Sequence, residues 1–217
     1  MNKFTRRTVI AAACAAAAMT FAPMSFAQQA PEKKDVTIAV GGKSLYYYLP
    51  LSIAEQLGYF KDEGLNVKIV DFQGGSRSLQ AVVGGSADVV SGAFEHTISM
   101  QAKKQPMTAF VLQGRAPQLA LVVSNKTMKD YKQLSDLKGK KVGVTAPGSS
   151  SQMVANFILK KGGLGPKDVA FIGVGSSSGA VSAIRSGQID ALINLDPVIT
   201  ILLKNGDAKL VADTRKV

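Results

Sequence analysis

The chain has 217 residues, with 26 Lys and Arg against 15 Asp and Glu, for a formal net charge of +11 at pH 7. Its basic residues fall in short pairs (Lys103-Lys104, Lys140-Lys141, Lys160-Lys161) and form no aromatic-interleaved stripe, which argues against a nucleic-acid binder. There is no tryptophan for a broad sugar-stacking platform, and the one cysteine, Cys14, lies in a segment that export would remove.

Residues 1–27 read as that export signal: Lys3, Arg6 and Arg7 lead an apolar stretch over 9–22, and Ser25-Phe26-Ala27 offers the small residues a signal peptidase needs. The run 5–10 also fits a twin-arginine signal. Cys14 after Ala11-Ala12-Ala13 offers a lipidation site, but cleavage there would halve the apolar stretch, so it reads as a filler. The mature chain then lies in a bacterial periplasm, with no thiol for a disulfide, a nucleophile or a metal. No mature segment is long and apolar enough to span a bilayer.

After a polar leader (28–35), a parallel-type strand is expected at 36–40, ending at Gly41-Gly42. A helix follows over 51–60, with Gly58 at its fraying end, then a strand at 67–70. Ser76 should cap a helix running to Val83, followed by a short strand at 88–90, a helix over 94–103 and a strand at 108–112. Past Pro117, residues 119–123 read as a crossover strand. A strand at 141–145 precedes a helix after Gly148-Ser149-Ser150 whose inward face is Val154, Phe157, Ile158 and Leu159. Strands at 169–172, 189–193 and 210–212 complete the pattern, with Pro197 in the first turn of a helix.

The pattern is duplicated. Ala81, Gly85 and Asp88 share an A-x-x-x-G-x-x-D frame with Ala183, Gly187 and Asp190, and each copy follows a small-residue turn and an apolar run. Two strand–helix–strand–helix–strand units imply an α/β chain with two lobes (36–117 and 118–217), each a mostly parallel sheet with helices on both faces, and a cleft between them.

The stretch YLPLSIAEQLGYFKDEGLNV over 48–67 resembles periplasmic substrate-binding proteins of the nitrate/sulfonate/taurine type, a group that includes receptors for thiamine-precursor pyrimidines. DLKGKKVGV from Asp136, Pro147-Gly-Ser149, SGQIDA from Ser186 and Asp196-Pro197 are similar to its second lobe. The resemblance implies a two-lobed type II binding-protein fold, no catalysis and no cofactor. It also implies a monomer outside the membrane that delivers a sulfonate, nitrate, taurine-like, carboxylate or pyrimidine solute to an ABC permease and its ATPase. No G-x-x-x-x-G-K-[ST] loop occurs, in keeping with ATP chemistry on another subunit. Family members return to the first lobe after the second, so a chain ending at Val217 implies an incomplete first lobe.

Ligands in such sheets lie beyond the carboxyl ends of the strands, where helix starts offer free N–H groups and partial positive charge. The candidate contacts are Gly42, Ser44, Gly75, Ser76, Ser149 and Ser150, with plain N-capping as the alternative for the serines. Glu95 and His96 follow a strand end and face the expected cleft, where His96 either meets the ligand or caps the surface. Asp196 either takes a donor from the ligand or caps its helix, and Tyr46, with Tyr47 and Tyr48, either lines the entrance or packs. One His without Cys partners makes no metal site. The run 175–179 matches the hydrolase elbow G-x-S-x-G around Ser177, but that fold needs a His downstream and the only one is His96. A solute sensor uncoupled from transport is the other alternative.

Overall fold

A strand paired on both sides in a parallel sheet is covered by helices on both faces, so it needs an unbroken apolar run. The computed structural model describes residues 31–215; the predicted export signal lies outside them. Within them Asp35–Val40 (β1) ends in Ile38, Ala39 and Val40, all buried. β1 takes parallel partners on both sides, Asn66–Asp71 (β2) and Val89–Ser91 (β3), in the order β2-β1-β3. Leu49–Gln56 (α1) and Tyr59–Asp62 (α2) link β1 to β2, Gly75–Val83 (α3) links β2 to β3, and Glu95–Ala102 (α4) follows. Gly58, with φ +81°, divides the single helix expected over 51–60 into α1 and α2, because its left-handed backbone breaks the helical path.

Ala120–Ser124 (β4) opens the second sheet. Lys141–Val144 (β5), Ala170–Gly173 (β6) and Ala191–Asn194 (β7) repeat the first arrangement as β6-β5-β7, with Ser150–Lys161 (α5) and Ser178–Ser186 (α6) as the crossovers. β4 runs antiparallel to β7 and, on its other side, to Ala208–Asp213 (β8), which is reached through Val198–Lys204 (α7). The sheet therefore reads β6-β5-β7-β4-β8.

The duplicated frame has a physical explanation. Gly85 and Gly187 sit at φ +76° and +81° just past α3 and α6, where the chain must leave the helix through a left-handed residue. The aspartate three residues later clips the sheet. Asp88 N donates to Thr37 O at 2.9 Å while Thr37 N donates to Asp88 Oδ2 at 2.8 Å. Asp190 and Lys141 make the same pair at 2.8 and 2.9 Å. Each frame thus ends a helix and fastens the next strand to the first strand of its unit.

From Lys33 onward the described residues form one compact unit. One apolar cluster joins Val40, Leu45 and Tyr48 to Leu121, Val144, Val154 and Leu195, so the two sheets share a core. A second lies under α6 and α7, around Ile184, Leu192, Ile199 and Leu202. Three expectations need correction. Residues 108–112 form no strand: Phe110, Val111 and Leu112 are exposed, and an apolar run without a neighbouring ladder has nothing to pair with. Phe157 points outward under the Lys161 ammonium, 5.1 Å from its ring centre, while Val154, Ala155, Ile158 and Leu159 form the buried stripe. Ser76 does not cap α3; Gly74 holds that position without a side-chain bond.

Candidate ligand cavity

β1, β3 and β5 all deliver their carboxyl ends to one place. There a cavity of about 380 Å³ opens, bordered by Gly41, Tyr47, Tyr48, Gly75 and Phe94 to His96 on one side and by Thr145, Ser150, Met153, Val154 and Leu195 on the other, with Arg115 also in its lining. The starts of α3, α4 and α5 reach it through Gly75, Glu95 and Ser150. Gly41 has to be glycine, because a Cβ there would overlap the Gly74–Gly75 backbone. Tyr48 is anchored by the Gly41 amide, which donates to its hydroxyl at 3.1 Å, and Tyr47 stands edge-on to it with centroids 5.1 Å apart. Burial raises the pKa of both phenols above the usual range, and the Glu95 charge adds to it.

His96 is 5 % exposed, and its ring lies against the start of α3: a Cβ on Gly75 would stand 3.1 Å from Nε2. Burial lowers its pKa below the ordinary histidine value, with the Glu95 charge pulling part of the way back, so the ring is neutral at pH 7. Glu95 Oε1 lies 3.8 Å from His96 Nε2, too far for a hydrogen bond between them. Both atoms are buried and neither has a partner among the described residues.

Of the sequence candidates, Gly75, Glu95, His96 and Ser150 line the cavity, whereas Gly42, Ser44, Tyr46, Ser76, Ser149 and Asp196 do not. The last six have other places. Ser76 N donates to Ser149 Oγ at 3.0 Å, Ser149 Oγ donates to Ser76 Oγ at 3.1 Å, and Ser76 Oγ donates to Pro147 O at 2.8 Å. The two serine turns grip each other across the sheets. Gly42 sits under Ser176, where a Cβ would overlap the hydroxyl, and the Gly42 and Lys43 amides both donate to Asp71 Oδ1 at 2.8 Å. Ser44 is exposed; Tyr46 is 62 % exposed, with its amide donating to Asp196 O at 3.0 Å. Asp196 precedes Pro197 at the start of α7 and braces its first turn, its Oδ1 accepting from Thr200 N at 3.0 Å and Thr200 Oγ1 at 2.8 Å, while Oδ2 pairs with Arg215. Ser177 is exposed and outside the cavity lining.

Sequence reasoning missed Gly41, Arg115, Thr145, Met153, Val154 and Leu195. Gly41 is adjacent to a glycine that was named, and only the chain's approach to Gly75 tells the two apart. Val154 reads as an inward-facing helix residue and is core, as is Leu195; Thr145 is a buried polar residue just past β5, and Arg115 and Met153 are exposed. Among the described residues, no three His, Cys, Asp or Glu side chains cluster to hold a metal, and no helix is long and apolar enough to cross a membrane.

A solved structure of a protein from Bordetella bronchiseptica RB50 matches with a TM-score of 0.83 at 63 % identity, covering 85 % of this chain and 58 % of that one. The alkanesulfonate-binding protein SsuA from Xanthomonas axonopodis pv. citri bound to MOPS matches with a TM-score of 0.69 at 24 % identity, over 86 % and 63 %, a likeness of fold. The 4-amino-5-hydroxymethyl-2-methylpyrimidine phosphate synthase of Schizosaccharomyces pombe (strain 972 / ATCC 24843) is 27 % identical over 162 residues, 74 % of this chain and 45 % of that protein. The chain thus spans about half the length of that curated relative. The fold is that of the periplasmic binding proteins, while the relatives' names include both a binder and a synthase. The family model described as NMT1/THI5 like matches residues 46–209, which take in most of the cavity lining and every strand except β1 and the end of β8, and the chain belongs to that family.

Proposed function

We propose that this chain is the solute-binding receptor of an ABC-type importer, working in the periplasm as a monomer and handing its solute to a membrane permease driven by a separate ATPase. The observation that carries this reading is the cavity, set between two sheets of the same 2-1-3 design and walled by three helix starts. Such starts hold anionic or strongly polar groups through backbone N–H donors without a side-chain cation. The name of the sulfonate-binding structural neighbour supports a solute of small size and polar character. The bonds between the serine turns belong to a closed arrangement, which a bound solute would favour over an open one. The reading includes no catalysis.

Thermal unfolding with a panel of nitrate, sulfonates, carboxylates and pyrimidines tests it. A solute at a hundred times its Kd should add about 2.7 kcal/mol and raise the melting temperature. Gly75→Val, which pushes a side chain toward His96 and into the cavity, should abolish that shift. If no solute shifts wild type, or if the shift survives Gly75→Val, the cavity is not the site.

A further inference from the structure

Resting on that reading, we propose that the cavity selects a solute carrying an amino group, seated between Glu95 Oε1 and His96 Nε2. Two buried polar atoms stand side by side on the same wall with no partner among the described residues, 3.8 Å apart. A buried acceptor without a donor costs roughly 1–3 kcal/mol, so proteins keep few of them, and two together mark a place where something from outside supplies hydrogens. They cannot satisfy each other at that distance.

The separation suits one nitrogen. An atom about 2.9 Å from each acceptor subtends an angle of about 80° between them, which an –NH2 or –NH3+ group spans with two of its hydrogens. Neutral His96 offers a lone pair on Nε2 when its proton sits on Nδ1. The carboxylate of Glu95 makes its half of the contact charge-assisted and favours a positively charged or strongly polarised amine. A solute with acceptors alone, such as nitrate or an alkanesulfonate, brings no hydrogen to this wall and sets its own negative charge against the carboxylate. The opposite wall behaves differently. The start of α5 at Ser150 lies there, and it suits the other, anionic or acceptor-rich, end of the same solute, as does Arg115 elsewhere in the lining. Tyr47, Tyr48 and Phe94 add flat apolar surface beside Glu95 and His96.

Isothermal titration calorimetry with matched probes tests this: taurine against ethanesulfonate, 4-aminopyrimidine against pyrimidine, and nitrate alone. In at least one pair the amino member should bind roughly tenfold to a hundredfold more tightly, the range for a hydrogen bond to a charged group. The two pairs separate an alkylammonium solute from a ring amine. Glu95→Gln and His96→Phe should each erase most of that preference. Unliganded Glu95→Gln should melt no lower than wild type, because the substitution removes the charge from a carboxylate whose Oε1 is buried without a partner among the described residues. If ethanesulfonate, pyrimidine or nitrate binds as tightly as the amino probes, or if Glu95→Gln keeps the preference, the amino-group assignment is overturned while the receptor reading stands. Failure of all five probes to bind overturns the assignment too, and the wider solute panel then decides the receptor reading separately.

Discussion

Gly74 lies at φ +97°, ψ 156°, a region open to almost no other residue, and a Cβ there would come within 2.8 Å of the Ala146 Cβ across the sheets. Gly74→Ala therefore combines backbone strain with a steric wedge. It should cost on the order of 1–3 kcal/mol, read as a lower midpoint in thermal or urea unfolding. The serine turns beside it predict a coupling. In a double-mutant cycle, Ser76→Ala and Ser149→Ala should show an interaction energy of about 1 kcal/mol, because each removal leaves the other hydroxyl short of a partner. Additive effects would mean that the turns do not hold each other in solution. These serines stood out in the sequence as small-residue helix starts, but their role was hidden, because the bonds join positions 73 residues apart. Glu95 and His96 were legible as polar residues at a strand end; that two of their atoms stay unpartnered was not.

At the scale of elements, the A-x-x-x-G-x-x-D frame was the most legible feature, since a helix end, a left-handed glycine and a strand clip all act within a few residues. Its first copy predicts a pH effect. The Lys33 ammonium beside Asp88, and then the Thr37 amide, hold that carboxyl below the usual aspartate range. A carboxyl more acidic in the fold than in the unfolded chain stabilises the fold above its unfolded pKa, and that contribution fades as pH falls through the folded one. Urea midpoints should therefore drop as pH is lowered through and beneath the ordinary aspartate value of about 4, and Asp88→Asn should flatten that part of the profile. An unchanged slope would mean that the clip works through Asp88 N alone. In the second copy, Ile184 is fully buried on the inner face of α6, and Ile184→Ala should cost about 2–5 kcal/mol in chemical unfolding. The segment 108–112 misled for a reason of the same scale: β propensity describes fitness for a ladder, and no strand stands beside Phe110 to offer one.

For the whole molecule, the shared cluster joining Tyr48 and Leu45 to Leu121 and Val144 makes the two sheets interdependent, although each is written as a separate unit. The duplication made two sheets of like order legible; their common core depends on which faces meet, and that no periodicity encodes. The stretch from Lys103 to Gln118 stands apart from this. It contains no helix or strand, and Lys103, Lys104 and Arg115 are all exposed along it. Trypsin at low dose should therefore nick the folded protein there before anywhere between β4 and β8. The scissile region lies between two portions clasped by one apolar interior, so the fragments should migrate as a single species on gel filtration and part only in detergent. The chain is thus built so that its covalent continuity and its physical integrity can be severed independently.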